Sequence, residues 1–438
     1  TIIHAKWVLP IAPINTALER HSVVISDGKI TACLPTEDCQ QQFDAKIIRH
    51  LDQHIVMPGL INNHTHTPMN LFRGLADDLP LMQWLNNHMW PAEKAVINEK
   101  AVHIGSTLAI AEMIRGGTTC FNDHYLFPVP TAQTSIQSGI RAAIGLLINN
   151  VENQYSKNEE ESIQNAEHIL NHPPLSNPLL SWTLAPHSPY IVSDDAFKKI
   201  KNLSNKHQIP VHIHLHETQA EIELSMKQYH RRPIERLLQL GLIDPSLIAV
   251  HAVHLNSAEI KLLASEGCHV VHSPQSNLKL GSGIAPVSEM FESNINLSIG
   301  TDGAASNNDL DMFAEMQTTS LLSKGASGNP TLIKAQDILA MGTINAARAL
   351  GLDSRIGSIE TGKEADLIAV KTNDYWQIPV FNPITHLVYT TNRLSVSDVW
   401  VNGRVLLENQ RLTTINTADL QEQALPLMDD IKPFMYCR

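Results

Sequence analysis

Between residues 58 and 355, short apolar runs alternate with longer helical patterns, and no other feature restricts the fold as much. A first run, from Val56 to His66, reads as one buried strand. Further strands are predicted at 118–123, 141–147, 180–185, 211–216, 248–251, 269–272 and 297–300. Helical stretches lie between most of them, such as 107–115, which stops at Gly116-Gly117. Alternating β and α units build parallel sheets, and eight of them over roughly 300 residues fit a TIM-like (β/α)8 barrel. A doubly wound open sheet is the runner-up. No G-x-G-x-x-G opens an early helix, and Gly281-Ser282-Gly283 sits late without a third glycine, so it reads as a loop.

The two ends of the chain have a different texture. His21-Ser22-Val23-Val24-Ile25-Ser26-Asp27-Gly28-Lys29-Ile30 is a strand, a D-G turn and a second strand. Near the other end, Ala365-Asp366-Leu367-Ile368-Ala369-Val370 reads as a strand, and Val399–Leu407 is a hairpin about Asn402-Gly403. The expected organisation is therefore a barrel over 58–357, with 1–57 and 358–438 joining in a small composite β-sandwich domain.

Composition narrows the function. The net charge is 32 − 44 = −12 and the basic residues form no long runs, which excludes a basic nucleic-acid-binding stripe. No window approaches the roughly 20 apolar residues of a membrane helix. Cys33, Cys39, Cys120, Cys268 and Cys437 form no C-x-x-C pair. No basic segment followed by an apolar stretch opens the sequence, so neither a disulfide framework nor a signal peptide is expected. A cytoplasmic protein without membrane or nucleic-acid partners is the expectation.

In (β/α)8 barrels, catalytic groups gather at the C-terminal strand ends. Those ends here carry His64 and His66, His187, His214 with Glu217, His251, and Asp302. His64 and His66 are two apart, so on a strand they share a face. Alone, H-x-H is a weak signal in a chain with 22 histidines. The T-D-G around Asp302 would ordinarily be a turn, and His251 an ordinary core histidine. His212, His214 and His216 share another face, and not all three need bind a metal. Agreement across five strands is what raises the odds of a metal site.

This pattern resembles the amidohydrolase superfamily over essentially the whole chain, and within it the 5′-methylthioadenosine/S-adenosylhomocysteine deaminases. The resemblance implies a metal held by His64, His66, His214 and Asp302. The fourth strand, Leu180-Ser181-Trp182-Thr183-Leu184-Ala185, has no lysine to bridge two metals, which implies the mononuclear branch. The H-x-x-E of His214-Leu215-His216-Glu217, with His251, resembles its deaminases. A His3Asp set suits zinc best, although iron or manganese also fit. A bound divalent metal brings the pKa of its water to about 7. Asp302 would take the water's proton, His251 would orient the nucleophile, and Glu217 would protonate the ring nitrogen and then the departing amine.

The segment from Leu71 to Leu85, with Trp90-Pro91-Ala92-Glu93, carries the resemblance to the nucleoside deaminases. It implies that Glu93 holds ribose hydroxyls and that His187 contacts the purine. Without the resemblance, Glu93 would read as a surface acid and His187 as a rim residue. Some relatives carry two arginines for a homocysteine carboxylate. Arg141 is a candidate for one, and no second stands between Leu147 and Gln164, which favours methylthioadenosine over S-adenosylhomocysteine, with adenosine also open. Relatives are commonly dimers or tetramers, so a homo-oligomer is expected. The alternatives are a guanine or oxidised-purine deaminase, a triazine chlorohydrolase, or a non-catalytic metal-binding scaffold. A scaffold would need neither Glu217 nor His251.

Overall fold

A computed structural model describes residues 1–13 and 15–435; Cys437 lies outside the described residues. The N-terminal strands are β1 (Ile2–Val8), β2 (Leu18–Ser26), β3 (Lys29–Pro35) and β4 (Ile48–Pro58). The barrel strands are β5 (Leu60–Thr65), β6 (Thr118–Tyr125), β7 (Arg141–Ile148), β8 (Leu180–Pro186), β9 (Val211–Leu215), β10 (Leu247–His251), β11 (His269–His272) and β12 (Asn296–Ile299). The C-terminal strands are β13 (Leu367–Lys371), β14 (Val396–Val401), β15 (Arg404–Glu408) and β16 (Arg411–Leu412).

Strands β5 to β12 lie side by side in chain order as an eight-stranded sheet. Every paired neighbour is parallel, as in Cys120↔Arg141 and Val250↔His214. The ends of this sheet approach one another where Asp302 N–H donates to the His64 carbonyl at 3.0 Å, so the barrel is nearly closed. Gly300 allows that approach, because a Cβ there would lie 2.6 Å from the His64 nitrogen. The lower barrel is filled by apolar side chains, among them Ile61, Cys120, Ala143, Val250 and Val271, packed with Ala346 and Leu350. Burial on both sheet faces explains why these strands read as continuous apolar runs.

Both chain ends meet in a second sheet of order β16-β15-β14-β13-β4-β1-β2-β3. One expectation is corrected here. Val56-Met57-Pro58 does not belong to the first barrel strand, because Met57 pairs with Ile368 and Pro58 with Leu367 in the terminal sheet. The break falls at Gly59, where any Cβ would meet Thr119 Oγ1 at 2.0 Å. Among the described residues, Cys33, Cys39, Cys120 and Cys268 are free thiols, and no helix is long and apolar enough to cross a membrane.

Candidate active site

The C-terminal ends of the barrel strands converge on a cavity of about 500 Å³. His64 and His66 leave β5 toward Asp302, which follows β12; their Nε2 atoms stand 3.3 and 3.1 Å from Asp302 Oδ1. His214 on β9 brings its Nε2 to 3.3 Å from His66 Nε2. His64, His66 and His214 can close on one ion, and so can His64, His251 and Asp302. His64 Nε2 is buried without a hydrogen-bond partner, an arrangement that costs free energy unless another group answers it. Three imidazoles and a carboxylate are a donor set that fits a divalent metal.

The far nitrogens of these rings are held. His66 Nδ1 faces the His124 carbonyl at 2.5 Å, and His214 Nδ1 the His187 carbonyl at 2.6 Å. His64 Nδ1 meets His212 Nε2 at 3.0 Å. Carbonyls accept, so His66 and His214 donate from Nδ1 and aim a bare Nε2 at the shared point. Ser276 Oγ donates to Asp302 Oδ2 at 2.6 Å. His251 Nδ1 donates to Asn277 Oδ1 at 2.8 Å, which leaves its Nε2 toward Glu217 Oε2 at 3.9 Å.

Backbone strain gathers at the same rim. His251 and Asp302 hold φ values of 70° and 62°, and His216 one of 55°. Side-chain-bearing residues keep such left-handed angles only where their surroundings enforce them. Charge states follow from burial and neighbours. Burial pushes His64 down to about 3 and His187 to about 4. Burial would also depress His66, but the adjacent Asp302 carboxylate reverses this and raises it. Burial opposes ionisation of Asp302, yet the His64 and His66 contacts win and hold its carboxyl well below the usual range. Glu217 is raised by burial, which suits a carboxyl that must carry a proton.

Glu93 and His187 both line the cavity. Glu93, on the helix Trp90–Val96, accepts the Tyr125 hydroxyl at 2.5 Å, and burial pushes it up to about 6. Arg141 is a correction. It opens β7 at the opposite end of the barrel, 1% exposed, with Nε donating to Asp366 Oδ2 at 2.8 Å and Nη2 to Glu364. It does not line the cavity, where among the described residues Lys94 is the only lysine or arginine. A strand's first residue cannot reach the catalytic end of a parallel barrel.

Sequence reading missed His124, Tyr125, Ser276 and Asn277. His124 is buried in the cavity wall, with both ring nitrogens unpartnered and its ring 4.6 Å from that of His214. Extending the second barrel strand two residues beyond Asp123 would have found it and Tyr125. Ser276 and Asn277 come from the short helix Pro274–Lys279, which leaves no periodic signal.

A nearly closed parallel barrel with this histidine–aspartate cluster at its mouth defines a class, and the chain belongs to the amidohydrolase family, whose pattern matches residues 55–406. The 5-methylthioadenosine/S-adenosylhomocysteine deaminase of Saccharophagus degradans is 43% identical over 423 residues, covering 97% of this chain and 95% of that protein. The 5'-deoxyadenosine deaminase of Methanosphaera stadtmanae is 40% identical, covering 93% and 94%. A crystal structure of an adenosine deaminase from Xanthomonas campestris with bound zinc superimposes with a TM-score of 0.97 at 43% identity, covering 99% and 98% of the two chains.

Proposed function

We propose that this protein is a hydrolytic deaminase of adenine nucleosides, best suited to 5′-methylthioadenosine, with S-adenosylhomocysteine and adenosine as further substrates. The observation that carries this reading is one cavity lined by His66, His214, Asp302, Glu217 and Glu93 together. The names and near-complete coverage of the relatives support it. His64, His66, His214 and Asp302 would hold one divalent ion, with zinc the best fit to the donor set. When bound, that ion supplies a water acidic enough to deprotonate near neutral pH.

The remaining chemistry is done by side chains. Glu93 would accept hydrogen bonds from the ribose hydroxyls and His187 would contact the purine, which turns C6 toward Asp302 and Glu217 in the same cavity. Asp302 takes the proton of the attacking water through a carboxylate oxygen. His251, held by Asn277, orients that water through Nε2. Glu217 gives a proton to the ring nitrogen next to C6 as the C–O bond forms. As the C–N bond breaks, the deprotonated Glu217 takes the C6 hydroxyl proton and passes it to the amine, leaving the inosine analogue and ammonia. The proton held on Asp302 restores Glu217. The same cavity wall carries Trp84, Leu85, Met89 and Leu126, apolar side chains that suit a methylthio group. The protein would work in the cytosol as a homo-oligomer.

Ammonia release from methylthioadenosine, adenosylhomocysteine, adenosine and guanine tests the substrate. Methylthioadenosine should lead; faster turnover of guanine would refute the nucleoside reading. Glu217→Gln should lose about 10²- to 10⁴-fold in kcat while keeping its metal. Retained turnover in that variant would remove Glu217 from the mechanism.

A further inference from the structure

Glu217 should not face this cavity by strand geometry. His212, His214 and His216 share one face of an extended chain, and residue 217 belongs to the other. Yet His214 and Glu217 both line the cavity. The alternation is broken at His216, whose φ of 55° turns the chain. That conformation is unfavourable for histidine and must be held from outside.

The holding group is a buried carboxylate that the proposed mechanism does not use. Glu221, 5% exposed, lies in the first turn of the helix Gln219–Tyr229. One carboxylate oxygen accepts the His216 N–H at 3.0 Å and the other accepts the Glu217 N–H at 2.9 Å. A glutamate here ordinarily folds back onto the N-cap N–H. Here the N-cap is Thr218, whose hydroxyl accepts Glu221 N–H at 3.2 Å, and the carboxylate reaches past it to the two preceding residues. The His216 ring is pinned on its far side, with Nε2 accepting Ile234 N–H at 3.3 Å. The turn is therefore gripped at its side chain and at both amides.

We propose that Glu221 is a positioning residue for Glu217: its two oxygens hold the left-handed turn at His216 and thereby set the Glu217 carboxyl in the cavity. The inference rests on reading Glu217 as the proton donor. Glutamine at 221 replaces one acceptor oxygen with an NH2 that cannot accept an amide hydrogen. In Glu221→Gln, kcat for methylthioadenosine should fall about 10- to 100-fold, since small displacements of a reacting group carry large rate penalties. KM should stay within about twofold and metal content should be unchanged. Glu221→Asp keeps two acceptor oxygens one carbon short, so it should recover part of the loss and reads the same split if the glutamine variant does not fold. Thr218→Ala, which removes only the helix cap, should lower Tm and leave kcat alone. In a Glu217→Gln background, adding Glu221→Gln should cost nothing further in residual rate, because both act through one group. An unchanged kcat in folded Glu221→Gln, parallel loss of metal, or an undiminished loss in the Glu217→Gln background would overturn the proposal. Turnover surviving in Glu217→Gln alone would instead overturn the acid assignment.

Discussion

At the mouth of the barrel, His64, His66, His214 and Asp302 crowd around one point, where His64 Nε2 and both His124 ring nitrogens are buried without hydrogen-bond partners and Asp302 and His251 hold left-handed backbone angles. At the opposite end, Arg141 is equally buried but fully answered by Asp366, Glu364 and the Pro178 carbonyl. Asp366 also accepts Asn402 N–H at 2.7 Å, so this ion pair joins the barrel to the terminal sheet. Burial of charge is common to both ends, and completeness of pairing separates them. A satisfied charge at the N-terminal strand ends serves stability, and unsatisfied groups at the C-terminal ends are where a ligand could be held.

Substitutions at the two ends should therefore fail differently. The largest effect is expected for Asp302→Ala, which should lose both metal and roughly four orders of magnitude in kcat/KM, because the proposed metal contact and the proposed proton acceptor disappear together. Metal analysis beside kinetics checks this, and an active, metal-loaded variant would break the contrast. Arg141→Met should cost about 3–5 kcal/mol of stability by leaving buried carboxylates without their partner. Its KM for each nucleoside should not move while it is folded. A selective loss toward adenosylhomocysteine at unchanged stability would return Arg141 to the site.

The smallest effect separates binding from chemistry within the mouth. Glu93→Gln should raise KM about 10- to 100-fold, the worth of one or two hydrogen bonds to a charged acceptor, with a smaller change in kcat. Burial lifts Glu93 to about 6, opposed by the Tyr125 hydroxyl. The ionised form, proposed to accept ribose hydroxyls, is thus present above that pH and lost below it. KM should rise as pH falls through about 6 in the unsubstituted enzyme and stay flat in Glu93→Gln. A rise of equal size in the variant would assign the titration to another group.

The barrel was legible because its strands are short apolar runs with turn or helix signals between them, and seven of the eight predicted runs coincide with barrel strands to within two residues at either end. The first run was misread at its start. Pro58-Gly59 is the local mark of the hand-over between the two sheets, and it is easily read through because apolar residues flank it on both sides. Ligand-type residues at strand ends were visible because a parallel barrel puts all such ends together. Arg141 was misplaced because residue type was weighed without asking which end of the strand it occupied. His124 was missed because its strand runs two residues further than its apolar run.

The sequence by itself determined the alternating architecture, the absence of basic or membrane-spanning stretches, and the side chains available to a metal and to proton transfer. These are matters of periodicity and residue chemistry, both local. Only the tertiary structure decided which histidines face one another, that Glu93 pairs with Tyr125, that Arg141 pairs with Asp366 and Glu364, and that Glu221 accepts the His216 and Glu217 amides. Such choices depend on strand register, on left-handed residues that break alternation, and on contacts between groups far apart in the chain.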